Sequence, residues 1–343
     1  MSRGDNRRGQ KKYRVRYDRI VVLALVIITI AVLISSCVNG IKGKKNIGSV
    51  PELSKNITTA AKNTQTTTEA AETEANPQNS EKTTETATTA AGSIVSVASD
   101  DVHKGDLILV NADYEYTFPE GDIEPITIIE NKNDFYDAGD YVTKLDKEVV
   151  IQLNALMEAY AVSKNTDDTD IFVQDGFRTY DEQVVRHSTG KSKTFEAGHV
   201  DYHTGRTFDM FLMDSTSSSG YAYFTADEWF NQNAGSYGFI LRYPEGKKEK
   251  TGENPRCYTY RYVGIPHASY INFNQLCLEE YIEEVKRHTN DNPLEITAGG
   301  NTYNVYYVPA EESGNTDVPV PDDKPYTISG CNAGGFIVTV TIS

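Results

Sequence analysis

The distribution of hydrophobic and polar residues divides the chain into an apolar run, a polar stretch and a folded region. Residues 20–34 read IVVLALVIITIAVLI, in which Thr29 is the single polar side chain, and the run continues through Cys37 to Val38. A helix of this length, at about 1.5 Å per residue, would span roughly 28 Å, close to the hydrocarbon thickness of a bilayer. The pattern predicts a transmembrane helix over residues 20–38.

The stretch that follows, residues 39–102, is polar and repetitive. From Lys55 to Asp101 it is dominated by Thr, Ala, Ser, Asn and Glu, and it contains no aromatic residue. Such a composition buries too little apolar surface to offset the entropy that is lost on ordering. We therefore expect residues 39–102 to form a disordered linker.

From residue 103 onward the pattern becomes that of a globular protein. Residues 146–163 repeat apolar side chains at helical spacing, and residues 278–285 do the same, whereas short apolar runs are typical of buried strands. We predict one compact α+β domain over residues 103–289. Residues 301–308 and 336–342 have β composition, so residues 290–343 are predicted to be a small β-rich appendage with no chemistry of its own. The remaining predicted elements are strands at residues 106–111, 171–173 and 236–243 and a short helix at residues 180–187.

Charge is distributed unevenly along the chain, which has a net charge of −16. The first nineteen residues carry eight Lys or Arg against Asp5 and Asp18, a net charge of +6, so the remainder carries −22. An acidic body argues against nucleic acid as a partner. The basic residues just before the apolar run predict a cytoplasmic segment over residues 1–19, a single membrane crossing and a folded region on the extracytoplasmic side.

The apolar run also permits a second interpretation, a cleaved signal sequence. Residues 34–37 read ISSC, which resembles a bacterial lipoprotein cleavage site with Cys37 as the lipidated residue. The run is longer than the roughly 7–15 apolar residues of most signal peptides, and this favours an uncleaved anchor. In either case the membrane is a partner and the rest of the chain is tethered to it.

Four sequence blocks in the folded region carry a family resemblance. Residues 175–183 (DGFRTYDEQ) resemble S-G-Y-R-S-x-x-x-Q, and residues 198–209 (GHVDYHTGRTFD) resemble G-x-S-E-H-Q-T-G-x-A-x-D. Residues 237–246 (YGFILRYPEG) and 257–264 (CYTYRYVG) supply the third and fourth blocks, the latter similar to P-W-H-F-R-Y-V-G. The chain thus resembles D-alanyl-D-alanine carboxypeptidases of the VanY type, zinc peptidases that trim the terminal D-alanine from cell-wall stem peptides. The resemblance implies a D,D-carboxypeptidase-like zinc-peptidase fold and a peptidoglycan stem peptide ending in D-Ala-D-Ala as the partner.

The resemblance also locates the positions of the catalytic zinc site. Such a site needs three protein ligands and an open position for water, with a carboxylate nearby as general base. The family's ligand positions fall on Tyr202, Asp209 and Thr259, and its base position falls on Arg256. Tyr and Thr keep their protons at neutral pH and Arg cannot accept one, so Asp209 is the one retained ligand. We expect no zinc cofactor and a weak or absent carboxypeptidase activity.

Histidines near Asp209 leave open a rearranged zinc site. His203 and His199 are the candidate substitutes, with His267 as a further one. In extended chain neighbouring side chains point to opposite faces, so His203 is predicted to point away from Asp209, and hydrogen-bonded roles are the more ordinary expectation for each histidine. Zinc would be a cofactor only if the site is rearranged.

The residues for substrate binding are better retained than the metal ligands. Arg178 occupies the family's substrate-arginine position, and Gln183 follows it on the next helix. A guanidinium fork can hold a peptide carboxylate or carbonyl, although a salt bridge that braces the fold is an equally good explanation of Arg178. Other cations near these blocks are Arg206, Arg242, Arg256 and Arg261.

These observations leave three functional hypotheses. The first is a catalytically degenerate protein that binds stem peptides, the second an active zinc D,D-carboxypeptidase with a rearranged site, and the third a structural envelope protein. Among the cysteines, a disulfide between Cys257 and Cys277 is possible, as are buried thiols.

Overall fold

The computed structural model describes residues 92–192 and 195–343. The predicted cytoplasmic segment, residues 1–19, and the predicted membrane anchor, residues 20–38 with Cys37, lie outside the described residues, as do residues 39–91 of the predicted linker. Among the residues that are described, no helix combines the length and the apolar character needed to cross a bilayer.

The described residues form strands and helices that alternate over the first two thirds, followed by strands alone. The helices are α1 (Ile128–Asn131), α2 (Lys147–Lys164), α3 (Tyr180–Ser188), α4 (Glu228–Asn233), α5 (Lys248–Thr251), α6 (Ile265–Asn274) and α7 (Leu278–Val285). The first nine strands are β1 (Gly92–Ala98), β2 (Pro125–Thr127), β3 (Asp137–Ala138), β4 (Lys144–Asp146), β5 (Ile171–Gln174), β6 (Thr207–Met213), β7 (Tyr221–Tyr223), β8 (Phe239–Tyr243) and β9 (Arg256–Tyr262). The last five are β10 (Leu294–Ala298), β11 (Asn301–Pro309), β12 (Asn315–Pro321), β13 (Tyr326–Gly330) and β14 (Gly335–Thr341).

The central sheet has the strand order β3-β5-β6-β9-β8, and β7 also pairs with β6. All of its pairs are antiparallel except β3 with β5. Helix α2 packs on this sheet through Val149, Leu153, Leu156 and Met157, as the helical spacing predicted. Its first turn is capped by the Asp146 carboxylate, which accepts a hydrogen bond from the backbone of the helix. The mixed α/β architecture predicted from the sequence is confirmed.

The C-terminal strands pack against the rest of the described region through a shared core. Strands β10, β11, β14 and β13 form a four-stranded antiparallel sheet. Ile296, Val305 and Ile337 from this sheet lie in one buried cluster with Leu278 and Ile282 of helix α7. The β-rich residues therefore share one buried cluster with the helical part, and they form a second cluster of their own around Tyr306, Val318 and Phe336.

The linker predicted to run to residue 102 is wrong for residues 92–102. Strand β1 pairs antiparallel with β12 along its whole length, from Gly92 opposite Pro321 to Ala98 opposite Asn315. Its residues Val95 and Val97 pack against a C-terminal cluster. The composition of β1 alone did not reveal this, because its partner strand lies more than two hundred residues away in the chain.

Two further local predictions are corrected. The segment 106–111, predicted to be a buried strand, is buried from Leu107 to Asn111 but forms no strand. Its backbone hydrogen bonds are irregular, and the Leu109 amide donates to the Cys331 carbonyl. Cys257 and Cys277 form no disulfide in the described structure, where Cys257 is exposed and Cys277 is a buried thiol. Whether a strand or a disulfide forms depends on which distant segments meet. The local sequence pattern does not determine this.

Candidate functional site

The three positions that the resemblance assigned to zinc ligands converge on one point of the central sheet. Asp209 lies on β6 and faces Thr259 on the neighbouring strand β9. Tyr202 lies on a short 3₁₀ turn, Asp201–Thr204, which ends at Gly205 with a left-handed backbone (φ 65°). That turn reverses the chain into β6, and this places the phenol of Tyr202 over the carboxylate of Asp209.

The side chains at these positions are joined by hydrogen bonds to a single oxygen. The Tyr202 hydroxyl donates to Asp209 Oδ1 at 2.7 Å, and the Thr259 hydroxyl donates to the same oxygen at 2.7 Å. All three side chains are buried. Burial raises the pKa of the Asp209 carboxyl to about 6, while both hydrogen bonds act in the opposite direction. Burial also raises the pKa of Tyr202 well above its ordinary value, so the phenol keeps its proton at neutral pH.

This donor set does not fit a zinc ion. Two ligands at about 2.1 Å from a tetrahedral zinc lie about 3.4 Å from each other. Here each hydroxyl oxygen lies 2.7 Å from the carboxylate oxygen, the distance of a hydrogen bond with a proton between the atoms. Within residues 92–192 and 195–343, no group of three or more His, Cys, Asp or Glu side chains is arranged to hold a metal.

Arg256, at the position of the general base, lies at the start of β9. Its Nη2 bonds to Glu253 Oε2 at 2.5 Å, and its guanidinium lies 5.3 Å from the ring centre of Tyr243. The positive charge acts on Asp209 in the direction that lowers the pKa of that carboxyl. A guanidinium cannot take a proton from water, so the side chain supplies charge and hydrogen-bond donors in place of a base.

Arg178 and Gln183, predicted to bind substrate, lie beside these three residues and bond to each other. The Arg178 guanidinium stacks 3.9 Å from the centre of the Tyr202 ring, and its Nη1 donates to Gln183 Oε1 at 3.2 Å. Its Nη2 pairs with Asp175 at 3.2 Å, and Asp175 also pairs with Arg186 at 2.7 Å. The Nε of Arg178 is buried and has no hydrogen-bond partner among the described residues.

Gln183 explains why Arg178 is held in this orientation. It lies fully buried on α3, whose first turn is closed by a capping box between Thr179 and Glu182. The Gln183 amide nitrogen donates to the Phe195 carbonyl at 3.0 Å and to Ser192 Oγ at 2.9 Å. The amide oxygen is therefore directed at Arg178, and the helix and the following loop are tied together at the site.

A cleft of about 550 Å³ opens over these residues. One wall is aromatic, with the rings of Tyr223 and Tyr258 stacked 4.0 Å apart, while cations and carboxylates line the remainder. Neither Tyr223 nor Glu253 lies in a motif block, so sequence pattern alone does not indicate a role for either. Only the pairing of β7 with β6 brings Tyr223 to the cleft. The charged residues that line the cleft are Asp175, Arg178, Arg186, Lys191, Asp209, Glu253 and Arg256.

The candidate substitute histidines have their nitrogens bound elsewhere. His203 Nδ1 donates to the Arg178 carbonyl at 2.6 Å, and its Nε2 accepts from the Gly198 amide at 3.0 Å. Burial lowers the pKa of His203 to about 4, so the ring is neutral and supports the backbone of Arg178. His199 Nδ1 is hydrogen bonded to the Asn111 carbonyl at 2.9 Å. The structure does not bring either ring to Asp209 in the way that a rearranged zinc site requires.

His267 lies in a different part of the structure. Its ring is buried, with Nδ1 at 2.6 Å from the Tyr281 hydroxyl and Nε2 at 3.1 Å from Thr339 Oγ1. Tyr281 belongs to α7 and Thr339 to β14, so this histidine joins the helical part to the C-terminal sheet. It is not part of the cleft.

Arg242 and Arg261, two of the other cations noted in the sequence, belong to a buried ion-pair network and not to the cleft. Asp201 Oδ1 accepts a hydrogen bond from Arg261 Nη1 at 2.8 Å and forms an ion pair with Arg242, whose Nε lies 3.2 Å away; Arg242 also pairs with Glu279 at 2.8 Å. Burial alone would raise the pKa of Asp201, but the two guanidinium groups hold it below its ordinary value. Asp201 directly precedes Tyr202, so this network anchors the turn that presents the phenol.

Known proteins resemble the chain over the region that contains this site. Residues 142–265 match the family model VanY, described as D-alanyl-D-alanine carboxypeptidase. A D-alanyl-D-alanine carboxypeptidase of Enterococcus faecium is 29% identical over 247 residues, which are 71% of this chain and 78% of that protein. The bifunctional D-Ala-D-Ala dipeptidase and D-Ala-D-Ala carboxypeptidase VanXYC of Enterococcus gallinarum is 33% identical over 155 residues, or 41% of this chain and 79% of that protein.

A solved structure shares the fold. The vancomycin-resistance D,D-dipeptidase VanXYg, in complex with a D-Ala-D-Ala phosphinate analogue, superposes with a TM-score of 0.62 at 24% identity. The superposition covers 74% of this chain and 100% of that structure. The described strands and helices therefore share the fold of that structure.

Proposed function

Since the chain belongs to the VanY family of D-alanyl-D-alanine carboxypeptidases, we propose that it is a catalytically degenerate member that binds peptidoglycan stem peptides without a metal. The family assignment places the protein with the cell-wall peptidases. Degeneracy and metal-free binding are the proposal.

One observation carries the proposal. The side chains at the three ligand positions satisfy each other by hydrogen bonds, with Tyr202 and Thr259 both donating to Asp209. Zinc binding there would require the loss of two protons from hydroxyl groups whose pKa values lie far above neutrality. With Arg256 at the base position, neither activation of water nor uptake of its proton has a suitable group.

The rest of the cleft supports peptide binding. Arg178 is rigid, because Gln183, Asp175 and the Tyr202 ring all contact its guanidinium. A preorganised arginine fork binds a carboxylate at little entropic cost. The stacked rings of Tyr223 and Tyr258 offer a flat apolar wall for the peptide, with polar hydroxyls at the edge.

We also propose that the protein is attached to the membrane by residues 20–38, with its folded part on the extracytoplasmic side. The support is the apolar run and the +6 charge of the first nineteen residues. Protease added to intact cells tests this orientation, because it should remove the folded part while the N-terminal segment survives. Complete protection of the folded part would contradict it.

Three measurements on the purified full-length chain test the functional proposal. Isothermal titration with a pentapeptide ending in D-Ala-D-Ala should show binding, which Arg178→Ala weakens at least tenfold, since a hydrogen bond to a charged group contributes about 1.5–3 kcal/mol. The control Arg287→Ala removes an exposed guanidinium that follows α7 and is not among the residues lining the cleft, so it should leave binding unchanged. Metal analysis after incubation with zinc, and a chelator-sensitive assay for released D-alanine, should both be negative.

The other hypotheses are outcomes of the same measurements. About one zinc per chain together with release of D-alanine would establish an active carboxypeptidase with a rearranged site. If the chain showed no peptide binding, no bound metal and no activity, the hypothesis of a structural envelope protein would remain.

A further inference from the structure

The charges of the cleft are not balanced. Four cations line it, Arg178, Arg186, Lys191 and Arg256, against the three carboxylates Asp175, Asp209 and Glu253. Asp175 serves both Arg178 and Arg186, and the charge of Asp209 is turned toward two hydroxyl groups. The cleft therefore has positive charge to spare for an anionic group of a ligand.

Arg256 is the cation best placed to meet that group. Of its donors, only Nη2 is used within the described residues, where it bonds to Glu253. The side chain is 28% exposed and borders the cleft. Glu253 is buried and also accepts from the Asn254 amide, so this carboxylate is held in place whether or not Arg256 contributes.

The guanidinium groups of Arg256 and Arg178 both line the cleft that also contains Tyr202. Arg178 stacks on the ring, and the charges of both arginines act on the phenol in the direction that lowers its pKa. A carboxylate bound in this cleft therefore has both arginines in the lining around it. A bidentate contact needs two N–H groups on one guanidinium, and Arg256 Nε and Nη1 meet this requirement.

We propose that Arg256, acting with Arg178, selects a peptide by its free terminal carboxylate, and that the preferred ligand is a stem peptide that has already lost its last D-alanine. This inference rests on the proposed function. Hydrolysis of a peptide bond at a metal centre creates the new carboxylate beside the metal and the general base. In this chain the cation Arg256 occupies the base position and attracts such a carboxylate. A glutamate at the same position would repel it. A peptide shorter by one residue ends at this cation, whereas a pentapeptide presents an uncharged amide there.

Titration calorimetry on the full-length chain tests the inference with four probes. The probes are the tetrapeptide L-Ala-D-γ-Glu-L-Lys-D-Ala and the corresponding pentapeptide ending in D-Ala-D-Ala, each as the free acid and as the C-terminal amide. The tetrapeptide acid should bind most tightly, with a Kd at least tenfold below that of its amide and below that of the pentapeptide acid. Arg256→Gln should abolish the difference between tetrapeptide acid and amide, while Arg287→Gln, an exposed arginine outside the cleft, should preserve it.

The outcomes separate the inference from the function on which it rests. If no probe binds, the proposed function fails and the inference fails with it. If acid and amide bind alike, or the pentapeptide acid binds more tightly, peptide binding stands and the selection by carboxylate is refuted. The comparison of acid with amide uses the unsubstituted chain, so it decides the matter even if Arg256→Gln does not fold.

Discussion

Restoring the family's ligands at three positions should convert the hydrogen-bonded site into a zinc site. The perturbation is the triple substitution Tyr202→His, Thr259→His and Arg256→Glu. Both hydroxyls already point at Asp209 Oδ1 from 2.7 Å, so imidazoles at these positions would converge on the same carboxylate. Three protein ligands and an open position would then be available to one ion.

The magnitude follows from the contacts that are exchanged. Without metal the variant loses two hydrogen bonds to a carboxylate, each with a contribution of about 1.5–3 kcal/mol, partly replaced by imidazole N–H donors. A site with three ligands should bind zinc with a Kd below about 1 μM. At a free zinc concentration a hundredfold above that Kd, the free energy of unfolding should rise by about 2.7 kcal/mol.

Chemical denaturation with and without zinc measures this increment. The unsubstituted chain should show no zinc-dependent change in its free energy of unfolding. A matched control carries only Tyr202→His and Arg256→Glu and keeps Thr259, so its site has one ligand fewer and should show a smaller zinc stabilisation. If zinc stabilised the unsubstituted chain as much as the triple variant, the proposal that the chain lacks a zinc site would be refuted. A folded triple variant without zinc binding would refute the assignment of Tyr202 and Thr259 as ligand positions.

Three further predictions concern residues around the cleft and in the core. Gln183→Ala should weaken pentapeptide binding by about tenfold in calorimetry, because it releases Arg178 while leaving the guanidinium in the chain. Asp201→Asn should lower the free energy of unfolding by about 3–5 kcal/mol in urea denaturation, because it removes the negative charge that two buried guanidinium groups share. A loss under about 1 kcal/mol would show that the network is not needed. Burial lowers the pKa of His267 to about 4 from 6.5, so the neutral ring gives full stability above pH 6.5, and up to about 3 kcal/mol is lost as the pH falls toward 4. His267→Gln should flatten that part of the pH profile, and an unchanged profile would contradict the assignment.

The local elements were predictable where a single segment carries its own signal. Helix α2 repeats apolar residues at the spacing of one face and begins at a capping aspartate, Asp146, so its bounds agree with the prediction to within a residue or two. Strand β1 was missed, because a short alternating segment becomes a strand only when a partner such as β12 lies beside it. The strand predicted for residues 106–111 was wrong for a different reason. An apolar run predicts burial but not the backbone pairing that makes a strand.

The residues of the site likewise separate into those that a local motif indicates and those whose role depends on distant segments. The motif blocks predict which residues occupy the ligand and base positions, since register within a motif is a property of the local chain. They did not distinguish Arg256, which borders the cleft, from Arg242 and Arg261, which are buried against Asp201. The role of a guanidinium depends on which carboxylate meets it, and here the partners come from segments far away in the chain.

By itself the sequence determined the family, the substituted ligand positions and the presence of Arg178 and Gln183, because these are statements about residue types at fixed spacing. Only the tertiary structure decided that the hydroxyls of Tyr202 and Thr259 share one oxygen of Asp209. Hydrogen bonds require atoms within about 3 Å, and that closeness is set by the pairing of β6 with β9 and by the turn that precedes β6. The residue types at these positions thus predict that no zinc donor set is present, and the fold shows that the three side chains are joined by hydrogen bonds.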